Sequence, residues 1–355
     1  MRALYITAHG ETDKLEFGDR PEPVPGPGEA LVVIKAAALN RLDLFVMRGI
    51  PGLTLEMPHI GGADGAGVVA AVGESVTGWS VGDEVVLNPG VWCGACEFCR
   101  KGEESLCIRF GLLGEHRAGT FSELVRVPAA SLGRKPDHLS WTEAAAFPLV
   151  FLTAWRMLVT RARLEAGETV LIHGIGGGVA LAAMAIAKRL GATVIATSGS
   201  ADKLQRARQL GADQVIDYSQ ADIVKEVRTL TGHRGADVVV ETTGAATWMA
   251  SLKAACKGGR IVTCGATTGP QPTEEIRLIF WKQLSILGST MGSAADWKAM
   301  LDAVRRWELR AAVDSVLPLE QGRAAYERLE RSDQFGKIVL AVSSDVAVTG
   351  ENTQE

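Results

Sequence analysis

At 355 residues the chain is long enough for two domains with full cores. Its 37 basic and 41 acidic residues leave a formal charge of −4, which argues against nucleic acid or a membrane surface as the main partner. No charged-then-apolar leader opens the chain, and the longest apolar run, around residues 179–187, is too short to span a bilayer, so a soluble, cytoplasmic protein is expected.

The first 130 or so residues read as β-rich. Residues 1–7 and 30–37 are strand-like, with a proline–glycine connector at 21–28 between them. Further strands are expected at 65–72 and 81–86, around a Gly73-Glu74 turn. No helical period of useful length is visible, so a compact β domain is predicted here.

Four of the six cysteines then cluster as Cys93-x2-Cys96-x2-Cys99-x7-Cys107. Four thiolates at such spacing suit one tetrahedral Zn²⁺ with no position left for a substrate, so a single structural Zn²⁺ is expected in a lobe at about 90–110. An iron–sulfur cluster is the competitor, but its bacterial run places the fourth cysteine three residues on, before a proline. Here Ile108 follows Cys107. Cys256 and Cys264 lie in or beside predicted sheet elements and read as small core residues.

From about residue 142 strand and helix patterns alternate. A helix is predicted over 142–158, then a Gly167-Glu168 turn and an apolar strand starting at Val170. The run His173-Gly174-Ile175-Gly176-Gly177-Gly178-Val179-Ala180 follows, and then an alanine-rich helix over 179–190, closed by Gly191. A second strand is expected at 193–197. Strand, glycine turn and helix make a dinucleotide cradle: glycine lets the backbone approach a pyrophosphate, and the helix N-terminus offers free N–H groups. Gly174, Gly177, Gly178 and Val179 are the candidate contacts. An NAD site usually carries Asp or Glu at the end of the second strand. Here Ser198 stands there, followed by Gly199 and, after Asp202, by Lys203. Hydroxyls and a cation suit a 2′-phosphate, so NADP(H) is inferred. Asp202 dissents, but it reads as the first turn of the next helix.

Helices at 201–210, 221–230 and 247–255 alternate with strands at 214–216, 237–241, 259–264 and 285–287. That pattern predicts a doubly wound parallel sheet. After Gly288 come two helical stretches and a last strand at 337–342; the polar tail, 343–355, is expected to be loose.

With both features placed, the chain resembles the medium-chain dehydrogenase/reductase superfamily over nearly its full length. The resemblance implies an α/β fold: a GroES-like β-rich catalytic domain (1–150 and 290–355) carrying the zinc lobe, and a Rossmann domain for NADP(H) (151–289). The Gly174-x-x-Gly177-Gly178-Val179-Ala180 turn is similar to that of the quinone oxidoreductase branch, with Ala180 where a glycine is usual. The catalytic-zinc pattern of the alcohol dehydrogenases is absent. That pattern has a cysteine three before an aspartate, a His-Glu pair before Gly-x-Gly, and a cysteine four before a Thr-x-Tyr/Trp-like segment. Those positions hold Asn40 before Asp43, Ala63-Asp64 before Gly65-Ala66-Gly67, and Leu149 before Thr153-Ala154-Trp155. None is a soft ligand. His59, Asp64, Asp43 and His116 are the residues from which a second metal could be rebuilt, without the usual spacing. His9, His138, His173 and His233 receive no functional reading.

Without a Lewis acid on the reactant, reduction of a quinone or an α,β-unsaturated carbonyl is favoured, because the developing charge delocalises onto an oxygen that hydrogen-bond donors can satisfy. Asn40 is the expected donor near the nicotinamide; Asp43 would orient it or the ribose, or merely cap a loop. The resemblance further implies that Thr153 opens the helix facing the nicotinamide. It also implies that Tyr218 flanks the adenosine phosphate with Gly199 and Lys203, and that Thr242, Gly265, Ala266, Thr267 and Lys337 lie near the nicotinamide half. Thr242 and Lys337 also read as ordinary strand-end residues. The rivals are a zinc-dependent alcohol dehydrogenase, a non-catalytic NADPH- or RNA-binding protein, and an acyl-CoA ester reductase. A homodimer or homotetramer through residues 285–291 is the implied assembly.

Overall fold

The computed structural model describes residues 1–349; positions 350–355 of the expected loose tail lie outside the described residues. The chain divides into two units: Met1–Leu149 with the return from Ser293 onward, and Val150–Gly292.

The first unit is built on a seven-stranded sheet. The Glu29–Ala38 strand is central: it pairs antiparallel with Asp64–Val72, with Leu124–Pro128 and with Lys337–Ala341. Ala30, Val32 and Ile34 are buried and the residues between them half-buried, the period-two pattern of a strand with one covered face. Glu84–Leu87 and Leu132–Arg134 extend one side, and Val313–Pro318 closes the other, parallel to Lys337–Ala341. Phe121, Leu44, Met47 and Tyr326 fill the core beneath.

Several features differ from the expectation. A helix, Arg41–Arg48, interrupts the β-rich half. The Asn40 backbone N–H donates to Asp43 Oδ2 at 2.6 Å, so Asn-x-x-Asp starts a helix as well as marking a site. The helix expected at 142–158 is three pieces: Trp141–Ala146, Pro148–Trp155 and a π-helical turn over Arg156–Arg161. Pro148 lacks the N–H that would continue the first piece and restricts Phe147 before it. The tail is not loose as far as it is described: Ser343 N–H donates to the Lys35 carbonyl, Val346 is buried and Thr349 Oγ1 accepts the Val316 N–H.

The second unit is a six-stranded sheet in the order Gln214–Asp217, Thr193–Ser198, Thr169–Ile172, Ala236–Glu241, Ala255–Thr263, Ser285–Gly288. All neighbours are parallel. This is the doubly wound order with its switch point beside Thr169–Ile172. The helix Gly178–Arg189 follows that strand, with Ala180, Leu181, Ala183, Met184 and Ala187 buried. A helix not anticipated, Ile276–Lys282, precedes the last strand and exposes Phe280 and Trp281.

The Asp64–Val72 strand runs so close to its neighbour that a Cβ on Gly67 would lie 2.0 Å from the Val33 carbonyl oxygen. Gly67→Ala is expected to destabilise the protein by about 3 kcal/mol or more, measured by urea unfolding.

Candidate active site

Asn40 ends the central strand's excursion, Asp64 opens the next strand, and Lys337 opens the last. Strand pairing brings the three together: Ala38 stands opposite Asp64 and, on the other side, opposite Val339. Lys337 Nζ donates to Asn40 Oδ1 at 2.5 Å and to Asp64 Oδ2 at 3.0 Å. Asn40 Nδ2 donates to Asp64 Oδ2 at 2.9 Å and to the Ala38 carbonyl at 3.4 Å. The Leu149 N–H donates to Asp64 Oδ1 at 2.7 Å. All of Asn40, Asp64 and Lys337 is buried, Lys337 to 4% exposure.

Asn40, the Ala63-Asp64 pair and Leu149 are the positions at which the sequence lacks catalytic-zinc ligands, and Asn40 and the Leu149 N–H meet at Asp64. Asn40 and Asp64 in turn hold the Lys337 ammonium. The set offers an amide, a carboxylate and a backbone N–H, with no thiolate or imidazole, and the carboxylate oxygens already accept three donors. Such a set does not fit Zn²⁺. Of the other residues considered for a second metal, His59 Nε2 bonds the Gly114 carbonyl and His116 Nδ1 bonds the Leu112 N–H. Asn40 differs from its expected role: both amide protons point inward, so its donor is engaged within the cluster. The sequence singles out Asp64 only as a possible metal ligand, and Tyr326 not at all. Asp64 is the hub of the cluster, and the buried Tyr326 phenol is shifted upward by burial and then by the Asp43 charge.

Asp43 accepts the Asn40 N–H and, at 3.2 Å, the Gly62 N–H. Burial pushes its carboxyl up to about 7, against the pull of those N–H groups and of Lys337.

In the lobe, the four cysteine sulfurs lie within 4.8 Å of one another, the one group of three or more metal-ligating His, Cys, Asp or Glu among the described residues. Cys93 and Cys99 are 3.9 Å apart and Cys96 and Cys99 3.6 Å. A tetrahedron of sulfurs about 2.3 Å from zinc has edges of roughly 3.8 Å, so the cage fits that ion. Backbone N–H groups of Ala95 and Cys96 point at Cys93 Sγ, and those of Cys93 and Arg109 at Cys107 Sγ, as thiolates require.

In the second unit the predicted cofactor residues gather at the carboxyl ends of the strands. Gly174 has φ of 65° and Gly176 of 138°, which turn the chain into the helix N-cap at Gly177. The Gly177 N–H closes the turn onto the Gly174 carbonyl, and the Leu181 N–H donates to the N-cap carbonyl of Gly177, which leaves the N–H groups of Gly178, Val179 and Ala180 at the helix start. At the end of the second strand, Ser198 Oγ accepts the Ser200 N–H, and Ser200 caps the helix that carries Asp202 and Lys203. The Tyr218 ring covers Gly199 so closely that a Cβ there would come within 2.8 Å of it. Thr267 N–H donates to the Thr242 carbonyl, which joins that residue to the Gly265-Ala266-Thr267 turn. Thr153 does not open a helix; it stands in the last turn of Pro148–Trp155, its hydroxyl 3.6 Å from Met291 Sδ.

This architecture matches known proteins. The family model described as "Alcohol dehydrogenase GroES-like domain" covers residues 26–137, and "Zinc-binding dehydrogenase" covers 178–306. A crystal structure of an NAD-dependent alcohol dehydrogenase is 50% identical, with a TM-score of 0.94 over 97% of this chain and 100% of that one. An acryloyl-coenzyme A reductase from Metallosphaera sedula is 32% identical over 96% of this chain and 99% of its own. A quinone oxidoreductase from Pseudomonas aeruginosa is 31% identical over the same shares, 96% and 99%. The chain belongs to the medium-chain dehydrogenase/reductase superfamily and is an oxidoreductase of that superfamily. Among the described residues no helix is long and apolar enough to cross a membrane.

Two outcomes follow from the geometry. Elemental analysis is expected to find one zinc per chain, and Cys96→Ser to lose it with a fall in melting temperature. Because the folded state holds a proton on Asp43 to about pH 7 whereas an unfolded Asp releases it near 3.9, stability should fall as pH rises between those values. Asp43→Asn should flatten that fall in melting curves taken across the range.

Proposed function

We propose that the protein binds NADPH on its Rossmann unit and reduces a quinone or an α,β-unsaturated carbonyl, with no metal on the reactant. The observation that carries this is the Asn40–Asp64–Lys337 cluster. It presents a fixed cation and hydrogen-bond donors where a metal-dependent relative needs soft ligands. The dinucleotide, when bound, supplies the hydride. The chain's own groups do the rest. Asp64 and Asn40 hold Lys337 in one orientation with two of its three N–H bonds. The third is the donor we assign to the oxygen that gains charge as the reactant is reduced. Asn40 is then a positioning residue. Asp43 fixes the turn into the Arg41–Arg48 helix, and with it Asn40.

The phosphorylated coenzyme is favoured by Ser198, the covered Gly199, Tyr218 and Lys203 at the end of the second strand, with no carboxylate at its terminus. Gly174, Gly177, Gly178 and Val179 would take the pyrophosphate. Thr153, Thr242 and Gly265, Ala266 and Thr267 would lie toward the nicotinamide. We assign Cys93, Cys96, Cys99 and Cys107 to one structural zinc that holds its lobe together. Relatives named as quinone and acryloyl-coenzyme A reductases support conjugated acceptors. Exposed Phe280 and Trp281 beside the edge strand Ser285–Gly288 support a homodimer through that edge.

A second reading, NAD-dependent alcohol oxidation, is favoured by the name of the 50% identical structure. Steady-state rates decide between them. NADPH should outperform NADH, and a quinone or an enone should be turned over in preference to a simple aldehyde. Preferential oxidation of simple alcohols with NAD⁺ would establish the second reading.

A further inference from the structure

The proposed reaction leaves one buried polar chain of the Rossmann unit without a role. Glu241 ends the Ala236–Glu241 strand and is 0% exposed. Its Oε1 accepts the backbone N–H groups of Thr243 at 2.8 Å and Gly244 at 2.9 Å. The Thr247 hydroxyl donates to the same carboxylate at 2.8 Å. The Ser251 hydroxyl donates to Oε2 at 2.6 Å, a length typical of a charge-assisted bond. Ser251 has one hydroxyl proton, and the carboxylate takes it. His173 Nε2, 3.0 Å from Ser251 Oγ, is therefore the donor in that contact. The ring proton sits on Nε2, and Nδ1 faces Thr197 Oγ1 at 3.4 Å.

His173 immediately precedes Gly174 of the glycine turn, and Glu241 immediately precedes Thr242. Their strands are neighbours, with Ile172 paired to Val240. The side chains thus tie together the bases of two turns whose backbones face the coenzyme in the proposed function. Neither His173, at 1% exposure, nor Ser251, at 0%, can touch a ligand. They can only hold backbone. A glycine-rich turn needs that: its conformational freedom would otherwise be lost on binding and subtracted from affinity.

We propose that His173, Ser251 and Glu241 are positioning residues that lock the 174–178 and 242–244 turns into one preformed cradle for a nicotinamide dinucleotide. This rests on the dinucleotide-binding reading. The ordering of both turns is completed at folding, by a carboxylate whose donors come from the second turn, from the helix Trp248–Ala254 and, through Ser251, from the first turn.

The test uses the full-length, zinc-loaded protein, titrated with NADPH and with NADH by fluorescence, together with KM, kcat and melting temperature. Ser251→Ala and His173→Leu cut the chain; His173→Gln keeps an N–H donor near the position of Nε2. In the two cutting variants Kd and KM for the dinucleotide should rise about tenfold, the size of one lost bond in a charged network, while kcat at saturation changes less than about twofold. His173→Gln should return to within about threefold of the unaltered protein, since it restores the donor. A lower melting temperature with unchanged Kd in Ser251→Ala would overturn the proposal, because a purely structural role moves stability alone. Should His173→Leu fail to fold, the Ser251→Ala and His173→Gln pair still decides. If the unaltered protein binds neither NADPH nor NADH, the dinucleotide reading fails and the cradle with it. If it binds and all three variants match it, only the positioning role falls.

Discussion

An ammonium taken out of water must be met by charge and by oxygen, or the fold that buries it will not form. Lys337 is met by Asp64 and Asn40, and much of the first unit is arranged to bring these partners together. The last strand must return beside the first long one, and the Asp64–Val72 strand must flank that strand on its other side. Removing one partner of such a pair leaves an uncompensated charge and costs on the order of 3–5 kcal/mol. The cluster therefore couples the closing of the sheet to the assembly of these buried polar groups.

The same cluster differs in its chemistry from a metal site. A metal centre stabilises charge by coordination and needs thiolate or imidazole ligands around an open position. The groups around Lys337 supply a fixed positive charge and N–H donors instead. The lobe of Cys93, Cys96, Cys99 and Cys107 is compatible with a structural zinc, since four sulfurs would close its sphere and leave no place for a reactant. The four-cysteine cage and the Lys337 cluster thus use different residues of the first unit.

The Rossmann unit solves a different problem with buried charge. Glu241 is surrounded by neutral donors, and its task is geometric. Burial, and then the Glu241 charge, push the nearby Cys264 thiol up to about 12. The Glu241 carboxylate holds the Thr243 and Gly244 N–H groups of the second turn directly, and reaches the base of the first through Ser251 and His173.

How much of this was legible in the chain follows from range. The four cysteines span a short stretch, so spacing alone determined that they could share one ion. The strand, glycine turn and helix at 170–190 are likewise local, and period and φ-demanding glycines marked them. The order of strand and helix patterns determined the parallel sheet. The Arg41–Arg48 helix was missed because its eight residues hold too few turns to show a period, and the break at Pro148 because apolar pattern runs through it. Only the tertiary structure decided that Lys337 lies against Asn40, 297 positions earlier, and that the Asn40 amide points inward. It alone showed that His173 and Ser251, 78 positions apart, meet over a carboxylate. Periodicity reports which way a side chain faces along its own element; which distant side chain it meets depends on strand order and register, and those are set by the packing of the whole sheet.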